Sequence, residues 1–178
     1  MSDVITPGPA FGQLFTAFEH TAYRLEVRSR YAPSYEGESL QRFLAGEPDD
    51  LPWMQDWLAM VGVAMAEGRR FSRVRVVDLP LSDYNAFGLA VSARNNEAGE
   101  DIRYLTRSEA GGLPDHDYWL FDSRKLLVMH FDRDDRFTHG EIIEDPAAVV
   151  EHNYWRDAAW HKAVRRDSFA EQQHIGRF

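Results

Sequence analysis

The stretch Asp115-His-Asp-Tyr-Trp-Leu-Phe-Asp-Ser-Arg-Lys-Leu-Leu-Val-Met-His-Phe-Asp132 decides the fold. In an extended chain successive side chains point to opposite faces, so Tyr118 and Leu120 look one way and Trp119 and Phe121 the other. Leu126, Leu127, Val128 and Met129 repeat the pattern on a returning strand. A hairpin that is apolar on both faces belongs inside a sheet covered on both sides.

Outward from that hairpin, Asp132 to Arg136 reads as an acidic turn and Phe137 to Ile143 as a third strand. Asp145-Pro146 then caps a helix whose Val149, Val150, Tyr154 and Ala158 are expected to face the sheet. Upstream, Phe11, Leu14, Phe15 and Phe18 fall at helical spacing. Tyr23, Leu25 and Val27 alternate with Arg24, Glu26 and Arg28 in a strand. Leu40, Phe43 and Leu44 form a brief helix ending at Gly46, and Pro52 opens a longer one carrying Met54, Leu58, Val61 and Met65. Arg70 to Asp78 is a strand with Arg73 and Arg75 on one face and Val74 and Val76 on the other. Ser82 or Asp83 caps a helix with Tyr84, Phe87 and Val91 inward, and Asp101 to Leu105 is a short strand.

This order predicts an α/β fold: a mixed central sheet of about five to seven strands with helices on both faces, closing in an antiparallel meander and a helix. One domain is expected over residues 11–167. Pro7 and Pro9 mark residues 1–10 as a flexible leader, and residues 168–178, without clear period, as a frayed tail.

The 178 residues suit a single core, and 44% of them are hydrophobic. Cysteine is absent, which excludes disulfides, thiol nucleophiles, iron-sulfur clusters and cysteine zinc sites, and fits a cytoplasmic protein. The start has neither the basic residues nor the apolar run of a signal peptide, and no segment reaches the ~20 apolar residues that span a bilayer. A net charge of -9 repels a phosphate backbone, which argues against direct nucleic-acid binding. Asp157 and Asp167 dilute the basic run Arg156, His161, Lys162, Arg165 and Arg166.

Arginine at sheet positions is the unusual feature. Arg24, Arg73, Arg75 and Arg103 must each reach solvent, a carboxylate or an anionic ligand, because an unpaired buried guanidinium is very costly. Asp83, Asp115, Asp117 and Asp122 are the candidate partners. Two readings stand: a polar cleft at the strand ends in which arginines offer forked donors to a carboxylate or phosphate, or an internal salt-bridge network.

Asp115-His116-Asp117 has the residue types of a metal site, but neighbours on a strand diverge, so Asp115 and Asp117 alone could share an ion. No metal and no other cofactor is expected. His130 and Asp132 share a face and offer a proton-transfer pair. Asp132-Arg-Asp-Asp-Arg-Phe fails as a calcium loop, with Phe137 where glycine is needed and Ile143 where glutamate is needed. Glycine-rich dinucleotide, phosphate-loop, zincin and nucleophile-elbow signatures are missing.

His20 to Arg28, Phe71 to Val77, Leu81-Ser-Asp-Tyr84, Gly99-Glu-Asp-Ile-Arg103, Asp115 to Asp122 and Asp157-Ala-Ala-Trp160 together resemble an uncharacterised actinobacterial domain family, often encoded near helix-turn-helix regulators. The final third, from Phe121-Asp122 through Asp145-Pro146 to Trp160, more distantly resembles a sensor version of the phospholipase D-like half-domain. Enzymes of that superfamily use a His-x-Lys pair with a following Asp, the histidine being the nucleophile. Here no His-x-Lys occurs, and Tyr118 follows His116 at the lysine position, so the resemblance implies a fold without that chemistry.

The expected function is a non-enzymatic regulatory or sensor module that binds a small anionic ligand, a helix-turn-helix regulator or another protein partner. Its site would draw on Arg24, Arg73, Arg75, Asp83, Tyr84, Arg103, Asp115, His116, Asp117 and Asp122. The alternative is a hydrolase or transferase using His116 or His130 with a nearby aspartate.

Overall fold

The computed structural model describes residues 3–177; Met1, Ser2 and Phe178, the extremes of the expected leader and tail, lie outside the described residues. Eight strands form one sheet: β1 (Asp3–Ile5), β2 (Thr21–Glu26), β3 (Arg70–Val77), β4 (Asp101–Thr106), β5 (Tyr118–Phe121), β6 (Lys125–Phe131), β7 (Phe137–Ile143) and β8 (Val164–Arg165). Their spatial order is β1-β7-β6-β5-β2-β3-β4-β8. Strands β2, β3 and β4 run parallel, which requires crossovers, and helices supply them. Helices α2 (Gly37–Ala45) and α3 (Gln55–Ala66) connect β2 to β3, and α4 (Asp83–Ala98) connects β3 to β4. Strands β5, β6 and β7 are the antiparallel meander, joined to β2 through β5.

Two faces of this mixed sheet are covered, as the doubly apolar hairpin requires. On one, Tyr23, Leu25, Val74, Val76, Tyr118 and Leu120 pack beneath Val149 and Ala159 of α5 (Pro146–Lys162). On the other, Ala22, Phe71, Trp119, Phe121 and Leu127 meet Phe15 and Phe18, at and beside α1 (Pro9–Ala17), with Val61 and Ala64 of α3. Leu51, Met54, Phe87 and Val91 tie α3 to α4 on the same side. Over the middle of β2 and β3 that second face carries charge instead of apolar groups.

Both chain ends are more ordered than expected. The leader contributes β1, in which Ile5 opposes Gly140 of β7. A Cβ at Gly140 would lie 2.4 Å from Leu127 Cδ1, so the glycine is what lets Leu127 and β1 close on the sheet. Three residues are too few for an alternation to register in sequence. The tail forms α6 (Arg166–Gln173), anchored where Phe169 stacks on Tyr104 with ring centroids 5.1 Å apart. Only Phe169 and Ala170 are its buried apolar residues, so no helical period was visible. Helix α5 is also rotated from expectation. Val149, His152 and Ala159 point inward, whereas Val150 and Tyr154 are exposed. No helix among the described residues is long and apolar enough to cross a membrane.

Candidate functional site

Parity along two parallel strands builds the site. Arg24 pairs in register with Arg73, and Glu26 with Arg75, and all four side chains leave the face opposite α5. Glu26 sits at the centre and is almost fully buried. Its Oε1 lies 2.7 Å from Arg73 Nη1 and 3.2 Å from Arg24 Nη1, and its Oε2 lies 3.3 Å from Arg75 Nη1. Burial alone would raise the Glu26 pKa, but the Arg24, Arg73 and Arg75 charges and the hydrogen bond from Arg73 outweigh it and hold the carboxyl at about 2.

Two further carboxylates stand behind the arginines. Glu100 accepts from Arg73 Nε and Nη2 at 3.0 and 2.7 Å, and its other oxygen accepts from Trp57 Nε1 and Asn95 Nδ2. Asp117 lies 3.5 Å from Arg24 Nη2, accepts from the Val27 backbone N–H at 2.9 Å and is hydrogen-bonded by the Tyr31 hydroxyl. Burial raises the Asp117 pKa despite the neighbouring Arg24. Aromatic rings close over the guanidiniums: Trp119 lies 5.7 Å from both Arg24 and Arg73, and Tyr31 lies over Arg24 and Arg75. Helix α4 approaches closely at Gly88, where a Cβ would come within 3.2 Å of Arg75 Nη1.

Above this floor is a hollow of about 690 Å³, a size that suits a small organic ligand. Residues 31–36 and Trp53 border it on one side, Tyr84 and Phe87 on another, and Phe131 and Phe137 on a third. Its charged lining is asymmetric. Arg24, Arg73 and Arg75 keep 11–15% of their side-chain surface open, while Glu26, Glu100 and Asp117 keep 2% or less. The arginines therefore present more surface than the carboxylates paired with them, although Glu26 also contributes to the floor. Glu36, also in the wall, accepts a hydrogen bond from Tyr84 at 2.9 Å, and burial raises its pKa.

Of the residues picked from sequence, Arg24, Arg73, Arg75 and Tyr84 line this hollow, and Asp117 supports Arg24. The others lie elsewhere. Arg103 is on the opposite face, 3.8 Å over the Trp160 ring and paired with Asp101, because its position opposes Val74 and not an arginine. Asp83 is exposed in the first turn of α4, and Asp115 is exposed. Asp122 is a cap whose carboxylate accepts from the backbone of Glu19, His20 and Thr21, which lowers its pKa against the opposing effect of burial. Asp117 alone of the four proposed partners meets one of these arginines; Glu26 and Glu100 were missed. Glu26 shares the strand parity of Arg24, a signal read as a solvated face.

His116 points to the α5 side, 3.0 Å from His152 between Nε2 atoms. His152 Nδ1 lies 2.7 Å from the Ala148 carbonyl and so donates to it, leaving Nε2 to accept from His116. Burial, and His116 after it, lower the His152 pKa against that helix carbonyl. His130 stacks on His139 and lies 3.6 Å from Glu141, so its partner is not Asp132, which caps its own turn. Among the described residues no group of three or more His, Asp or Glu side chains is placed to hold a metal ion.

A family model described as Domain of unknown function (DUF6879) matches residues 9–171. The chain belongs to that family. This DUF6879 domain shares its fold with two solved structures. Nuc from Salmonella typhimurium, a phospholipase D family member, superposes with a TM-score of 0.52 at 12% identity, covering 93% of this chain and 97% of that one. NucT from Helicobacter pylori gives 0.53 at 6% identity, covering 93% and 98%. No curated protein matches. The α/β architecture with its mixed sheet is thus that of phospholipase D family members, while the sequence contains no His-x-Lys pair. The Tyr118 hydroxyl donates to the His152 carbonyl at 2.9 Å.

Proposed function

We propose that this DUF6879 domain is a non-enzymatic ligand-binding module whose hollow takes a small anionic molecule with an apolar body. One observation carries the reading: three guanidiniums from two adjacent strands open into a single aromatic-walled hollow while the carboxylates paired with them keep almost no exposed surface. Desolvated arginines strengthen their hold on an anion, and the aromatic walls supply the apolar contact that gives affinity. In this proposal a regulatory partner protein, such as a helix-turn-helix regulator, reads whether the hollow is occupied. The test is tryptophan fluorescence during titration with a panel of small amphipathic acids, since Trp53, Trp57 and Trp119 line the hollow. Saturable quenching at one ligand per chain, shifted to higher ligand concentration in Arg75→Gln, is the expected result. Absence of saturable quenching across the panel would contradict the proposal.

A second reading rests on the half-exposed His116, hydrogen-bonded to a neutral His152 in a fold shared with phospholipase D family members. It makes the protein a hydrolase or transferase. Turnover of bis-p-nitrophenyl phosphate by the wild type, abolished in His116→Gln, would favour that reading over the first.

A further inference from the structure

We infer that the ligand is an apolar or aromatic monocarboxylate, gripped between Arg24 and Arg75 beneath the Tyr31 ring, with Arg73 serving as a fixed strut. This rests on the ligand-binding reading above and sharpens it to a chemical class. The three arginines are held very differently. Arg73 has Nε and Nη2 on Glu100 and Nη1 on Glu26, at 2.7 to 3.0 Å, and Glu100 is itself locked by Trp57 and Asn95. All three of its nitrogens are engaged at short distance. Arg24 reaches Glu26 and Asp117 only at 3.2 and 3.5 Å, and Arg75 reaches Glu26 and Asn85 at 3.3 Å each. Both Nε atoms are buried without a hydrogen-bond partner among the described residues, so donors for a guest must come from the Nη groups. A guanidinium has five N–H donors, so these two retain donors for a guest. Both reach Glu26 through Nη1 and both lie against Tyr31, their carbons 5.4 and 5.3 Å from its centroid, which gathers the two guanidiniums in one part of the floor.

Charge selects the acid. Arg24, Arg73, Arg75 and Arg136 against Glu26, Glu36, Glu100, Asp117 and Asp135 carry one negative charge in excess when all are ionised, so a phosphate dianion adds nearly twice the excess that a carboxylate adds. In a partly desolvated site the second added charge is the more costly. Glu36, in the wall with a raised pKa, can take up one proton and offset the first. The remaining wall, with Trp53, Trp57, Phe131 and Phe137, suits a flat apolar body.

Calorimetric titration of the full chain with 2-naphthoate, 2-naphthamide and 2-naphthyl phosphate tests this. The carboxylate is expected to bind at least about tenfold more tightly than either the amide or the phosphate, the loss of one charge-assisted contact or more. Arg24→Gln and Arg75→Gln should each weaken naphthoate about tenfold and leave naphthamide within about threefold, the amide showing that the variants are folded. Equal affinity for the amide, or phosphate binding as tight as carboxylate, overturns the carboxylate assignment while leaving a ligand-binding hollow. Binding of none of the three overturns the ligand-binding reading as well.

Discussion

The two faces of strands β2 and β3 are one residue out of step and chemically opposite. On the α5 side Tyr23, Leu25, Val74 and Val76 interlock in a sealed apolar layer. On the other, Arg24, Glu26, Arg73 and Arg75 form a charged floor under a hollow. The apolar layer needs no further explanation, since each buried large side chain stabilises the fold by ~1.5 to 3 kcal/mol. A buried charge cluster is commonly neutral or worse for stability than well-packed apolar residues would be, because desolvation offsets the attraction. Stability alone therefore does not account for the charged face, whereas it does account for its neighbour, and the proposal assigns that face to recognition.

The comparison is broken most sharply by removing the central carboxylate. Glu26→Gln leaves three guanidiniums facing one another and should cost about 3 to 5 kcal/mol in urea unfolding. Leu25→Ala, one residue away on the sealed face, should cost about 2 to 5 kcal/mol by making a cavity, with no change in ligand selectivity.

Acid titration sharpens the difference. The folded state holds Glu26 ionised down to about pH 2, below its unfolded value near 4.5. Protonation thus favours the unfolded chain, and Glu26's contribution, full above 4.5, is lost as pH falls toward 2. In Glu26→Gln that part of the acid limb of the stability curve should disappear, measured by urea midpoints from pH 6 to 2.

A subtler variant acts through helix α4. Gly88→Ala gains up to ~1 kcal/mol of helix propensity. Its Cβ presses Arg75 Nη1, so global stability should barely change while acid affinity falls. Arg103→Gln loses a partly exposed pair with Asp101 and the contact with the Trp160 ring, together about 1 to 2 kcal/mol, and should leave ligand affinity untouched.

Much of this fold was legible because the hairpin from Tyr118 to Met129 is apolar on both faces, which only an interior strand can be, and because Pro146 and Ser82 mark helix starts. Strand β1 and helix α6 were not legible, since three residues and a single Phe169-Ala170 anchor carry no period. Arg24, Arg73 and Arg75 stood out in sequence through the cost of burying them. Their partners did not, because Glu26 simply alternates with apolar residues like any polar strand position and Glu100 comes from a distant part of the chain. Which strands lie side by side in register is long-range information, and Arg103 was misplaced for that reason: its register with Val74 turns it to the other face.

The central claim, that the arginine face is an open receptor and not a sealed salt-bridge network, is tested most directly by a crystal structure of the protein purified from its own cell. The account predicts density for an organic acid between Arg24 and Arg75, its body among Trp53, Trp57 and Phe131. A hollow filled by its own side chains, with Arg24 and Arg75 drawn onto Asp117 and Glu26 at full hydrogen-bond contact, would contradict it.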